Sequence, residues 1–273
     1  TSDEALELRA RPESMIVLGG GPIAVELAQF YQRIGTKVTL IQRRHHILSS
    51  GDEDLARPVE KLFRGEGMKV YTGTHLHRFT EEQGQKLAHF SHAGEEKRAG
   101  GEIVLQALGR KPNIEGLDLE NAGVEIDGGR ITVNRAMRTS QPHIYAVGDV
   151  NGEHEIVHIA IEQGEIAAYN ATHPDRPEHR FDERLNALVV FTDPQIASVG
   201  LTEAAAKEQG HKVKVGRFPF IGNGKAIALG EPEGIIKTVF DEKTGELLGA
   251  HMVGAEVTAV SYTHLTLPTI LLV

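Results

Sequence analysis

Residues 15–26, MIVLGGGPIAVE, decide the fold. An apolar run stops at three glycines and passes into a helical pattern. Residues 15–18 have the composition of a buried strand, and Pro22 suits the first turn of a helix, where its missing N–H needs no partner. Ile23, Leu27, Phe30 or Tyr31, and Ile34 then recur at helical spacing as an apolar stripe, with Gly35 the expected terminator. A strand, a glycine turn and a helix in that order are the opening of a parallel α/β sheet.

The pattern continues on both sides of that opening. A second strand is expected at 37–41, a helix at 53–64 with Pro58 tolerable only near its first turns, and a third strand at 68–71. From Thr74 to Val104 the text changes: THLHRFT and KLAHFSH, separated by the turn-forming EEQGQ, predict an inserted antiparallel hairpin. The strand EIVLQALG leads into the turn RKPN. A short strand near 130–133 and another at IYAVGD precede a helix over about 156–171. The proline-rich, charged THPDRPEHR marks a domain boundary. Beyond it, strands at 187–191, 212–218, 234–241 and 247–253 around a helix at 203–209 predict a separate α+β domain. No internal repeat or low-complexity segment is found.

Composition narrows the function. The 273 residues, 40% apolar and 25% charged with 30 glycines, suit a soluble globular chain large enough for two domains. No apolar run reaches the ~18 residues of a membrane span, and the N-terminal TSDEALELRARPE lacks the basic and hydrophobic regions of a secretory signal. A cytoplasmic chain with no membrane partner is expected. A formal charge of -9 argues against nucleic acid as a partner. Cysteine is absent, which removes disulfides, thiolate metal sites and a cysteine nucleophile. His75 and His77 put two rings on one strand face, but no carboxylate or third ligand is near in sequence, so no metal site is expected.

In the glycine turn, Gly19 permits the tight turn, Gly21 lets backbone approach a pyrophosphate, and Ala24 lets helix and strand pack closely. The helix N-terminus offers free N–H groups and a partial positive charge. The alternative is a turn whose glycines serve packing alone. About 20 positions on, where an acid would bind the ribose of NAD, the sequence is IQRRHH. Gln42 takes the acid's place, and Arg43 and Arg44 suit a 2′-phosphate, which favours NADP; the alternative is a solvated surface turn.

Six stretches in order, SDEALELRARPESMIVLGGGPIAVELA, ALGRKPN, IYAVGDV, HIAIEQGEIAA, FTDPQIASVGLTE and GELLGAHMVGAEVT, resemble the pyridine nucleotide-disulfide oxidoreductases, flavoproteins that include dihydrolipoyl dehydrogenase, glutathione reductase and mercuric reductase. The resemblance runs from about residue 2 to 258. It implies a Rossmann-like NAD(P)-binding domain at 1–110, the C-terminal part of an FAD-binding domain at 111–178 and a dimerisation domain at 179–259, whose sequence looks most like the dihydrolipoyl dehydrogenase branch.

It also implies roles. Gly19, Gly20, Gly21, Pro22, Ile23 and Ala24 would form the nucleotide turn, with Glu26 near the nicotinamide end and Gly109 approaching the same nucleotide. Asp149 would accept hydrogen bonds from the FAD ribitol, and Gly148 would let the chain pass close by. Glu155, Ile156, Val157, His158 and Ala160 would line the flavin, His158 as a neighbour rather than an acid or base. The cofactors implied are FAD and NAD(P), the partners a second subunit in a homodimer and a small-molecule or lipoyl-type disulfide.

The family's reaction passes a hydride between NAD(P)H and FAD and exchanges electrons with a CxxxxC pair. A histidine held by a glutamate near the C-terminus moves the protons. The pair would lie upstream of Thr1, and the tail AVSYTHLTLPTILLV departs from the family's His-Pro-Thr ending. The expectation is a fragment, catalytically silent alone, with residues 260–273 foreign to the family, His264 not catalytic and no catalytic residue in the chain. A flavin transhydrogenase, a mercuric or glutathione reductase-like enzyme, and a silent nucleotide-binding or dimerisation module remain as alternatives.

Overall fold

The computed structural model describes residues 1–261. A short helix α1 (Ser2–Leu6) precedes the expected strand, β1 (Ser14–Leu18), which runs up the middle of a parallel sheet. After it come α2 (Pro22–Arg33), β2 (Lys37–Ile41), α3 (Glu53–Gly65) and β3 (Lys69–Tyr71). An antiparallel meander follows, β4 (Thr74–Glu82), β5 (Gln85–His92) and β6 (Glu95–Gly101), before β7 (Ile103–Gln106) returns to the parallel sheet. The sheet order is β3-β2-β1-β7. The chain therefore builds outward on one side of β1 and then crosses to the other, making a topological switch at the carboxyl ends of β1 and β7. That crevice is where open α/β sheets hold ligands.

Alternation along β1 explains why both faces are covered. Met15 and Val17 join a core with Ala24, Val25 and Ala28 of α2 and Leu55, Val59 and Phe63 of α3. Ile16 and Leu18 point the other way, onto Ala88, Phe90 and Ala99 of the meander. Two expectations need correcting here. The insertion is three strands and not a hairpin, because EEKRAGG pairs with β5 along its whole length. The stripe on α2 holds only in part: Leu27 and Tyr31 face the core as expected, but Ile23, Phe30 and Ile34 are exposed, and Ala24, Val25 and Ala28 are buried in their place. Small side chains let the helix sit close to the sheet, so they share its inner face with Leu27 and Tyr31.

The C-terminal part is a five-stranded antiparallel sheet, ordered β10-β11-β14-β13-β12. For it we number the remaining elements in chain order: β8 (Ile126–Asp127), β9 (Arg130–Ile131), α4 (Val157–Thr172), β10 (Ala187–Val190), β11 (Gln195–Gly200), α5 (Glu203–Glu208), β12 (Val213–Pro219), α6 (Gly224–Leu229), β13 (Ile235–Asp241), β14 (Leu247–Gly254) and α7 (Val257–Val260). The four expected strands and the helix at 203 are present; β11 and α6 were not expected. Val190, Ile196 and Val253 of this sheet belong to the same core as β1, α2 and α3. For that reason Thr1–Gly109 and the segment from Ala187 onward form one compact unit, and Arg110–Asn186 forms a second. The break between the two units falls at 186/187, after THPDRPEHR. The tail at 260–273 lies outside the described residues apart from Val260 and Ser261, as does His264.

The second unit contains the β8–β9 ribbon, a 3-10 turn at Gly148–Asn151 and α4. IYAVGD is not a strand. It makes a single bridge, Arg138 to Tyr145, and then turns so that the Gly148 N–H can reach Gln163 of α4. Among the described residues no helix is long and apolar enough to cross a membrane.

Candidate functional site

The glycines of the turn differ in what they answer to. Gly19 has φ +113, and a Cβ there would lie 2.2 Å from the Ala107 carbonyl oxygen at the end of β7. Its glycine is required by the fold itself. Gly20 lies under the Gln42 side chain, whose amide nitrogen would be 2.9 Å from an added Cβ. Around Gly21, the N-cap of α2, a Cβ would meet nothing within 4 Å among the described residues. No side chain caps this helix, Pro22 opens it, and its first turn carries no acid. The N-terminus of a twelve-residue helix thus faces open space with free N–H groups, the arrangement that binds phosphate.

The structure brings Gly19, Gly20, Gly21 and Gln42 together. Gly109, with φ +124 and no neighbour that a Cβ would strike, follows Ala107 at the same end of the sheet. Arg43 and Arg44 continue from Gln42 as exposed residues, and among the described residues neither guanidinium makes an ion pair or hydrogen bond. Their loop is held from several sides: Leu48 N–H donates to Gly20 O at 2.5 Å, Gly73 N–H to Arg44 O at 2.7 Å, and Ile47 N–H to the Glu60 carboxylate at 3.0 Å. Ile23 is exposed beside the turn, while Ala24 is buried as the close-packing residue.

Glu26 has a definite partner. Its carboxylate accepts the Phe191 N–H at 2.8 Å, and burial pushes its pKa up, partly offset by that hydrogen bond. One turn on, Gln29 exchanges two hydrogen bonds with the Asp193 backbone, at 2.7 and 2.8 Å, and Arg33 pairs with the Asp193 carboxylate at 2.6 Å. One face of α2 therefore clasps the loop between β10 and β11.

In the second unit Gly148 has φ +71, and its Cβ would lie 3.1 Å from the Ala160 Cβ, so these two residues meet. Asp149 is exposed, with Arg110 Nε 3.8 Å from its carboxylate. Glu155 and Val157 are exposed, and Ile156, His158 and Ala160 are half-buried around the start of α4. Gln163 was missed in the sequence. Fully buried, it accepts from Gly148 N–H at 2.7 Å and Asn151 Nδ2 at 2.9 Å, which fixes its oxygen; its Nε2 has no hydrogen-bond partner among the described residues. A spare buried donor, an uncovered carboxylate and an exposed Val157 and Ile161 at the helix start fit a group with both polar and flat apolar parts.

One of the two strand histidines does meet a carboxylate: His77 Nε2 lies 3.3 Å from Glu96, brought across the meander. Even so, among the described residues no three metal-ligating side chains are grouped to hold an ion.

A family profile described as pyridine nucleotide-disulphide oxidoreductase matches residues 1–164. The chain belongs to that family. The profile of the family's dimerisation domain matches residues 186–266. Among curated relatives, a dihydrolipoyl dehydrogenase of Bacillus subtilis is 38% identical over 262 residues, 94% of this chain and 54% of the relative. One from Thermus scotoductus is 41% identical over 248 residues, 90% and 53% respectively. Among solved structures, the Cu(II) complex of the HOCl-induced flavoprotein disulfide reductase RclA from Escherichia coli superposes with a TM-score of 0.85 at 27% identity, covering 98% of this chain and 60% of that one. LpdA from Mycobacterium tuberculosis gives 0.83 at 27% identity, covering 95% and 57%. The chain spans about half the length of the curated relatives it matches. The chain combines a parallel α/β sheet with a dimerisation domain.

Proposed function

We propose that this chain is the nicotinamide-nucleotide-binding and dimer-forming part of an FAD-dependent NAD(P)H:disulfide oxidoreductase of the dihydrolipoyl dehydrogenase type. The observation that carries the reading is the open, uncapped N-terminus of α2 at Gly21, beside a Gly19 that only glycine can occupy. The pyrophosphate of NAD(P) is held there by backbone N–H groups and the helix dipole, and Gly109 admits the same nucleotide. Gln42 takes the ribose, and Arg43 and Arg44 the 2′-phosphate of NADPH. In the second unit, Gly148 and Ala160 shape the flavin loop, Asp149 accepts from ribitol hydroxyls, and residues 155–158 line the ring.

Flavin and nicotinamide supply the hydride chemistry when bound, and this chain's residues orient and enclose them. Disulfide exchange needs a thiolate, which this chain lacks, so a disulfide substrate is reduced by residues outside this sequence. A flavin transhydrogenase, or a nucleotide-binding module with no thiol step of its own, would use the same glycine turn. Calorimetric titration with NADPH and NADH tests the common core. Heat with both, and NADPH at least as tight as NADH, is expected; no heat with either at millimolar concentration contradicts the reading, and a clear NADH preference removes Arg43 and Arg44 from it. The isolated chain should purify colourless, and a stable yellow complex would show that it carries a complete flavin site.

A further inference from the structure

The meander turns one face to the parallel sheet and the other to solvent. Leu76 and Phe79 of β4 share a face with their β5 partners Phe90 and Ala88, which are buried in one core with Ile16 and Leu18 of β1. Two residues, His77 and Arg78, therefore stand between successive inward positions, and the pairing of β4 with β5 shifts register at that point. Such a bulge re-aims the side chain that follows it. Under unbroken alternation Arg78 would point inward with Leu76; the bulge turns it outward.

On the outer face Arg78 is the cross-strand partner of His89, and His89 is the partner of Arg98 on β6. The three side chains form one row across three strands, with no acid in it. Neighbouring strands lie ~4.8 Å apart, so the two arginines start about 10 Å from each other, on either side of the imidazole. Both are exposed, and among the described residues neither guanidinium makes an ion pair or hydrogen bond. His89 is half-buried and oriented, its Nε2 2.8 Å from Thr80 Oγ1. The adjacent row is His75, Ser91 and Glu96. Glu96, the one acid in these two rows, lies 3.3 Å from His77. Two guanidinium charges on one sheet face with no acid between them repel each other. A bulge places one of them there, in a chain whose formal charge is -9.

We infer that Arg78, His89 and Arg98 form a binding site for a phosphoryl group. Two guanidinium forks closing from strands on either side suit the oxygens of a phosphate, and the His89 ring is the floor between them. The row lies on an open sheet face and not in a cleft, so a free phosphate and the phosphate of a lipid headgroup both reach it. The site shares no residue with the glycine turn and does not depend on the nucleotide reading.

The test uses the intact chain, Arg78→Gln and the double variant Arg78→Gln/Arg98→Gln. Each is titrated with pyrophosphate at low ionic strength while amide NMR shifts are followed, and each is sedimented with vesicles of phosphatidylcholine alone or mixed with phosphatidic acid. Pyrophosphate should move the amides of residues 78, 89 and 98, and its affinity there should fall by at least about tenfold in the double variant, while NADPH affinity is unchanged. Both variants should melt no lower than the unmodified chain, because the repulsion is relieved, so lost binding is not lost folding. Vesicle binding that needs phosphatidic acid and disappears in the double variant, with no pyrophosphate response, assigns the headgroup as the ligand. Pyrophosphate shifts confined to residues 19–24, or absent, together with vesicle binding that is absent or equal in the double variant, overturn the inference. Failure of the unmodified chain to bind NADPH bears on the glycine turn alone.

Discussion

The glycine turn and the Gly148 loop use the same residue type for different reasons. Gly19, backed against Ala107, is dictated by the protein's own packing, whereas Gly21 answers to nothing among the described residues. In the second unit the order is reversed: Gly148 is dictated by Ala160 and by Gln163 beneath it, and the surface left open mixes Val157, 78% exposed, with the exposed carboxylates of Asp149 and Glu155. A glycine that the fold does not need, at a helix N-terminus without a cap, is the mark of a ligand. A glycine that the fold needs says nothing about one.

The contrast breaks most readily at Gly19. Gly19→Ala should cost about 3 kcal/mol of stability or more, since it combines a positive φ with a backbone collision, read as the shift of the urea midpoint. Next comes Gln163→Leu, which leaves the Gly148 N–H and the Asn151 amide without their acceptor; about 2 kcal/mol is expected, with no change in nucleotide affinity. Acid should act on the first unit. The hydrogen bond from Lys207, then that from Lys237, hold Glu203 down from 4.5 to about 2, and the Lys237 hydrogen bond likewise lowers Asp54. The unfolded chain takes up those protons first, so this stabilisation is complete above about pH 4.5 and is lost as the pH falls towards about 2. Lys237→Met should flatten that part of the pH–stability curve. The smallest effect is expected at Glu26. Because burial raises its pKa, the charged form is the disfavoured one in the fold; Glu26→Gln keeps an acceptor for Phe191 N–H and should stabilise by under about 1 kcal/mol at neutral pH, an effect that fades as the pH is lowered.

Much of this was legible in the sequence because it depends on local pattern. Strand, glycine turn and helix at residues 14–33 follow from short-range sterics, and the second strand fell at Lys37–Ile41 as expected. What escaped was set by distance. The inner face of α2 is chosen by how closely a helix must approach a sheet, which hydrophobicity alone misorders in favour of Ile23, Phe30 and Ile34. Strand β6, rich in charge and glycine, exists because β5 offers it an edge. β11 was hidden behind Pro194 and a mixed QIASVG, although it lies between β10 and β14. Within the site, the turn and Gln42 were visible as motif and spacing. Gln163 was not, since it acquires its role from partners 12 and 15 residues away.

The most direct measurement compares Gly21→Ala with the unmodified chain, melting temperature beside NADPH dissociation constant. Among the described residues nothing lies within 4 Å of the added methyl, so stability should change by less than about 1 kcal/mol; on the proposed reading the methyl takes the pyrophosphate's place, and affinity should fall by more than about tenfold. Unchanged affinity in a folded Gly21→Ala protein would mean that the open helix end is not where a dinucleotide binds.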